Sequence, residues 1–257
     1  MNLNLPIKVA QGYKSASQKA RVITEAWTSS NMYCPACVRN YLSQTKSSTE
    51  VVDFICEKCD SQFQLKATSK LIGRKIVDAA YNVMMQAIVE NRMPHLLLLS
   101  YDNFRATVND LLLIPGFCFP ASAIEARKPL KPTARRAGWV GCNIVLDSVP
   151  PEGRIKIVQS GSIISKISVR NKFRNVEPLS DFSYKKRGWT LDVLTVLRSL
   201  SKREFTIDEA YSFEKVLSHR HPENLHVRAK IRQQLQVLRD LGYLRFVRRG
   251  HYRWIRS

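Results

Sequence analysis

Cys34-Pro-Ala-Cys37 and Cys56-Glu-Lys-Cys59 are two Cys-x-x-Cys pairs with eighteen residues between them. In each pair a tight turn can bring two thiolates onto one ion. Two pairs at this interval have the spacing of a four-cysteine structural zinc site. Four thiolates complete a tetrahedron and leave no open position, so an ion here holds structure and does no chemistry. A redox pair or a coincidence would have to account for both motifs at once. The other two cysteines, Cys118 and Cys142, sit among apolar residues and read as small buried hydrophobes. In a reducing compartment the six do not read as disulfides.

Around the second pair lie residues of another kind. Asp53 interrupts the apolar run Val51, Val52, Phe54, Ile55, and Gln64 and Lys66 alternate with Phe63 and Leu65. Residues 51–55 read as a buried strand and residues 63–66 as its neighbour, with the metal-binding turn between them. Zinc then fixes the register, and Asp53 lies across from Gln64 and Lys66. A sheet edge facing water would explain the polar pair. It would not explain Asp53, because an acid among Val, Phe and Ile is costly unless it is paired or metal-bound. Glu57 and Asp60 belong to the turn and should face solvent. Glu25, on a helix predicted over SASQKARVITEAW (residues 15–27), could approach the site from that neighbouring element, but an exposed acid is the preferred reading.

The elements that must position these groups follow from periodicity. Residues 75–91 carry Ile76, Ala80, Val83, Met84, Ala87 and Ile88 at helical spacing, which predicts one core-facing helix. Residues 95–101, 110–117 and 153–161 read as strands, so the core is α/β. Residues 128–144, KPLKPTARRAGWVGCNI, form a loop by their Pro and Gly content. The loop bears Arg135, Arg136 and Trp139, which fits contacts with DNA phosphates and guanines. Asn143 suits a base edge or a turn cap equally. From residue 185 onward there are 17 Lys or Arg against 7 Asp or Glu. That stretch predicts three helices and a hairpin, a winged helix. Its first helix spans residues 188–200 with Thr190 as cap. The second begins with the Thr206/Glu209 capping box. The third presents Arg228, Lys230, Arg232, Gln233 and Gln234, and the hairpin turns at Arg248, Arg249 and Gly250.

Asp53 followed by Gln64-x-Lys66 resembles the acid…(Glu/Gln)-x-Lys signature of the PD-(D/E)xK nucleases. Together with the cysteine pairs, KPLKPTARRAGWVGCNI, YKSASQKARVITEAW and KIRQQLQVLRD, it resembles the DpnI-like methyl-directed restriction endonucleases over nearly the whole chain. The resemblance implies an α/β PD-(D/E)xK core with a mixed sheet flanked by helices and a zinc knuckle over residues 1–182. It implies a winged-helix DNA-binding domain over residues 183–257. The implied function is a type II restriction endonuclease that hydrolyses double-stranded DNA at GATC containing N6-methyladenine. Catalysis would use magnesium held by Asp53, Gln64 and the backbone carbonyl of Leu65, with Lys66 orienting the attacking water. Trp139 would read the adenine methyls. Gln64 departs from the usual Glu, which removes one negative charge. A working variant, a decayed enzyme and a deliberate substitution all fit it, so a non-cleaving methylated-DNA binding protein is the alternative. A zinc-ribbon transcription factor would explain the cysteines and the charge, but not Asp53 and Lys66.

The bulk properties agree with a polyanionic partner. The chain has 257 residues, 44% of them hydrophobic, and a net charge of +20. Such an excess favours nucleic acid through phosphate contacts and counterion release. No apolar run is long enough to span a membrane, and the N-terminus lacks the pattern of a secretion signal. The expectation is a cytoplasmic monomer.

Overall fold

The computed structural model describes residues 1–45 and 52–255. Val51, read above as part of the Asp53 strand, lies outside the described residues. Along the chain, α1 (Ala16–Asn31) precedes β1 (Ser43–Gln44), β2 (Phe54–Ile55), β3 (Gln62–Thr68) and β4 (Lys75–Ala80). Then come α2 (Tyr81–Val89), β5 (His95–Asp102), β6 (Thr107–Ile114), β7 (Ile124–Ala126), β8 (Gly141–Val145), β9 (Ile155–Gln159) and β10 (Ser162–Ile163). The remainder is α3 (Lys166–Val176), α4 (Tyr184–Arg198), β11 (Glu204–Thr206), α5 (Ile207–Tyr211), α6 (Glu214–Arg220), α7 (Val227–Asp240), β12 (Leu244–Arg248) and β13 (His251–Trp254).

The elements fall into two compact units. The first comprises Met1–Arg74, Arg92–Phe117 and Glu152–Glu177. It holds a seven-stranded mixed sheet, order β1-β2-β3-β5-β6-β9-β10, in which β3 and β5 are parallel and the other pairs antiparallel. β5 is its centre. Leu96, Leu97, Leu98 and Leu99 are all buried, as a strand covered on both faces requires. α1 packs against β1 and β3 and turns Thr24, Trp27 and Thr28 inward. α3 packs on β9 through Val169, Phe173 and Val176.

The second unit comprises Lys75–Asn91, Cys118–Pro151 and Pro178–Ser257. Here the structure corrects the helix expected over residues 75–91. Its first six residues are strand β4, paired antiparallel with β8 so that Ile76 faces Ile144, and only the remainder is helical. Two β-branched residues, Ile76 and Val77, favour the pleated conformation, and the edge of β8 gives them a partner. In α2, Met84 and Ile88 are buried while Val83 points outward. β7 completes a three-stranded sheet, order β4-β8-β7.

The C-terminal part of this unit has the order α4-β11-α5-α6-α7-β12-β13 with a β11-β13-β12 sheet, a winged helix-turn-helix around Trp189, Leu194, Ile231, Leu235, Leu238, Tyr252 and Trp254. The Thr206/Glu209 capping box is present at the start of α5. Thr190 does not cap a helix. α4 begins earlier, with Ser183 as its cap, and Thr190 lies inside it, donating to Lys186 O at 2.8 Å.

Candidate active site and nucleic-acid interface

The four cysteine sulfurs converge. All Sγ atoms lie within 4.8 Å of one another, with Cys34–Cys59 and Cys37–Cys56 each at 3.6 Å. Sulfurs bound tetrahedrally to one zinc sit about 3.8 Å apart, so the cluster could bind that ion with little adjustment. Backbone bonds shape both turns: Cys34 N–H to Arg39 O at 3.1 Å, Cys56 N–H to Ser61 O at 2.9 Å, and Asp60 N–H to Cys56 O at 2.8 Å with Asp60 at φ 56°. Burial pushes the Cys34 thiol up, helped by its hydrogen bond with Cys59. Burial works against the Cys56 thiolate too, but the amides of Lys58 and Cys59 outweigh it and hold that thiol at about 7.

One brace escaped the sequence reading. Arg170 of α3 donates through Nε to Cys34 O at 3.2 Å and through Nη2 to Arg39 O at 2.9 Å, with its guanidinium 5.3 Å from the Tyr33 ring centre. It ties α3 to the first cysteine turn. The apolar spacing Val169, Phe173, Val176 was the available signal for this helix.

Next to this cluster, Asp53 precedes β2 and continues its pairing, donating its amide to Phe63 O at 2.9 Å. Its Oδ2 accepts from the amide of Leu65 at 2.7 Å. The amide and carbonyl of a strand residue project to the same side. The Leu65 carbonyl therefore also faces the Asp53 side, beyond the end of β2. Gln64 and Lys66 alternate with Leu65 on β3, opposite Leu96 and Leu98 of β5 in register. Burial raises the Asp53 carboxyl above its usual range, the Leu65 amide opposes this, and Glu25 raises it further, while Arg21 and Lys66 favour the charged form.

Of the two readings of Glu25 the exposed acid is the one corrected: its Oε2 accepts from Gln44, which pairs with Phe54 next to Asp53, and its charge acts on Asp53. The Glu25 side chain is only 14% exposed and is held by Arg21 Nε at 2.7 Å and by Gln44 Nε2 at 3.0 Å. The reason is the packing of α1 across β1 and β3. Glu57 and Asp60 face solvent as expected; Glu57 accepts from Ser43 Oγ at 2.7 Å. Asp53, Glu25 and the Leu65 carbonyl are oxygen donors of the kind a hard divalent cation takes.

In the second unit the loop between β7 and β8 closes on itself. Arg127 N–H reaches Gly141 O at 2.8 Å, Leu130 N–H reaches Trp139 O at 3.0 Å, and Gly138 N–H reaches Leu130 O at 3.1 Å. Arg135 and Arg136 are exposed, Trp139 is half-buried, and the Arg136 guanidinium lies over the Trp139 ring at 4.9 Å. Asn143 is not a turn cap. It lies inside β8 opposite Glu125, and its side chain bonds that carboxylate.

On α7, Arg228, Arg232 and Gln233 are exposed and Lys230 is half-buried. Arg228 pairs with Glu214 at 2.8 Å and Arg232 donates to the Tyr211 hydroxyl at 2.8 Å. Gln234 is a correction. It is 1% exposed and its side-chain amide is hydrogen-bonded to Thr190 Oγ1 at 2.7 Å, so it joins α7 to α4 and is not available to a base. A residue between Ile231, Leu235 and Leu238 faces the core whatever its polarity. Arg248 and Arg249 are exposed at the hairpin turn, where Gly250 supplies φ 71°.

Residues 1–182 match the family model of the DpnI, or Dam-replacing, family, and residues 185–254 match that of the Dam-replacing HTH domain. Taken with the mixed sheet, the cysteine cluster and the winged helix, these matches show that the chain belongs to the Dam-replacing DpnI family of methyl-directed restriction proteins.

Proposed function

We propose that the protein is a magnesium-dependent type II restriction endonuclease that cuts double-stranded DNA at GATC containing N6-methyladenine. The observation that carries this reading is the half-buried Asp53 carboxylate, bonded to the Leu65 amide and sensing the charge of Lys66 on the same hairpin. Residues 1–182 are the catalytic domain with a structural zinc ion, and residues 183–257 are the winged-helix domain. The molecule acts as a cytoplasmic monomer; among the described residues no helix is long and apolar enough to cross a membrane.

Asp53, Gln64 through its amide oxygen and Leu65 through its carbonyl are the residues that would hold magnesium, with Glu25 as a second carboxylate. When bound, the cation neutralises charge on the scissile phosphate and makes a nearby water more acidic. Lys66 orients the attacking water and stabilises the negative charge that develops on the phosphate oxygens. Arg135, Arg136, Lys230, Arg248 and Arg249 supply cations for the backbone. Arg228, Arg232 and Gln233 face base edges, for which Arg suits guanine and Gln suits adenine. Trp139 covers the adenine methyls.

The neutral side chain at Gln64 favours a second reading, a methylated-DNA binder that does not cut. Methylated and unmethylated plasmids incubated with magnesium separate the two. Cuts confined to the methylated plasmid, and abolished in Asp53→Ala, support the nuclease. Methyl-selective binding without cuts, with cleavage gained in Gln64→Glu, supports the binder. Absence of both methyl selectivity and cleavage rejects both.

A further inference from the structure

We propose that Gly141 is a specificity-positioning residue: its missing side chain leaves the space in which the indole of Trp139 seats. The inference rests on Trp139 as the methyl reader and adds what fixes that ring. A Cβ placed on Gly141 would lie 2.8 Å from both Cη2 and Cζ3 of Trp139, and 3.6 Å from Cδ of Arg127. Nonbonded carbons do not approach to 2.8 Å, since their optimum is about 3.5–4.0 Å. A methyl group at this position and the ring as it stands cannot both be accommodated.

Nothing else demands glycine here. Gly141 is not at positive φ, as Gly138 and Gly250 are, and it sits at the first position of β8 and not in a turn. Its backbone is held from two sides: it is in register with Ala80 of β4, and its carbonyl accepts from Arg127. The atoms that would meet the new methyl are the far end of a side chain, so the ring yields and the strand does not. The ring is also partly open to solvent, with Arg136 over it, whereas Gly141 itself is buried.

A reader of methyl groups is sensitive to such a shift. The preference comes from close apolar contact, and two methyls together account for about a tenfold preference. A gap of 0.5–1 Å forfeits a quarter to a half of each contact, by order of magnitude. Displacing the indole therefore weakens methyl preference about two- to threefold while leaving the phosphate contacts that supply general affinity.

The test measures binding of full-length protein to methylated and unmethylated GATC duplexes with calcium in place of magnesium, so that no cutting intervenes. Gly141→Ala is expected to lower the methylated-to-unmethylated affinity ratio about two- to threefold, part of the loss expected in Trp139→Ala. Adding Gly141→Ala to Trp139→Ala is expected to change nothing further. In the Trp139→Phe background, where the ring lacks the clashing atoms, Gly141→Ala is expected to cost less than twofold in that ratio. Thermal melts accompany each variant, and a Gly141→Ala protein less stable than its Trp139→Phe double variant also supports competition for one space.

If Trp139→Ala lowers the ratio and Gly141→Ala does not, the role of Gly141 is overturned while the Trp139 reading stands. If Trp139→Ala leaves the ratio unchanged, the Trp139 reading itself fails. If Gly141→Ala weakens both duplexes equally, or lowers the ratio equally in all three backgrounds, the glycine acts through the fold and the proposal is wrong.

Discussion

At Gln64 the chain presents an amide where the related nucleases have a carboxylate, and Glu25 stands close enough for its charge to act on Asp53. On the proposed reading, a cation held at Asp53 would gain from any further negative charge within a few ångströms. One unit charge there contributes on the order of 1 kcal/mol even at high dielectric. Gln64→Glu should therefore tighten calcium binding about fivefold or more, and Glu25→Gln should weaken it by a similar factor, as titration calorimetry would show. The sequence disclosed Asp53 because an acid in an apolar run is conspicuous. It offered Glu25 only as the less favoured of two readings, because nothing in the pattern of α1 says that its Glu25 face lies against β1 and β3. Gln234 misled in the opposite direction: its chemistry suits adenine, but its position in the 3.6-residue period puts it in the core.

Among the elements, the β2–β3 turn carries two of the four clustered cysteines, and α3 braces the turn that carries the other two. Arg170→Ala should leave the four thiolates in place but loosen the first turn, so that zinc is lost to a chelator faster than from the unaltered protein. Zinc release followed with a colorimetric indicator measures this, and removal of all zinc should melt the hairpin. β5 carries a second dependence. His95 packs between Phe63, Phe117 and Phe173 and accepts the Gly116 amide at Nδ1, and burial pushes it down to about 4. The unfolded chain binds that proton near pH 6.5, so the folded state is favoured above 6.5 and loses stability as pH falls toward 4, by on the order of 3 kcal/mol. Urea melts across this range should show the slope, and His95→Phe should flatten it. The leucine run of β5 and the capping box of α5 were legible because local pattern alone determines them. β4 was not, because Ile76 and Val77 fit a helical period as well as a strand until the edge of β8 is known. α3 went unread beneath its many cations, although Val169, Phe173 and Val176 marked its buried stripe.

For the whole molecule, the excess of 41 basic over 21 acidic residues should dominate affinity for DNA of any sequence. With about six phosphate contacts the logarithm of affinity should fall against that of salt with a slope near −5, and replacing Arg248 and Arg249 together by Ala should reduce its magnitude by about 2. Fluorescence anisotropy at several salt concentrations tests both values. Within the second unit, the Trp139 sheet is fastened to the winged helix by buried polar ties. Arg187 donates to Ile88 O at 2.9 Å and to Phe182 O at 3.0 Å, and Asp192 accepts from Ser122 while pairing with Arg220 and His221. The proposed readers Trp139 and α7 therefore share one compact unit, and Asp53, Gln64 and Lys66 belong to the other. The polypeptide passes between the units after Arg74, Asn91, Phe117, Pro151 and Glu177. No single protease nick can liberate either half intact, and an engineer who wished to graft this reader onto a different cutter would have to transplant three separate lengths of chain.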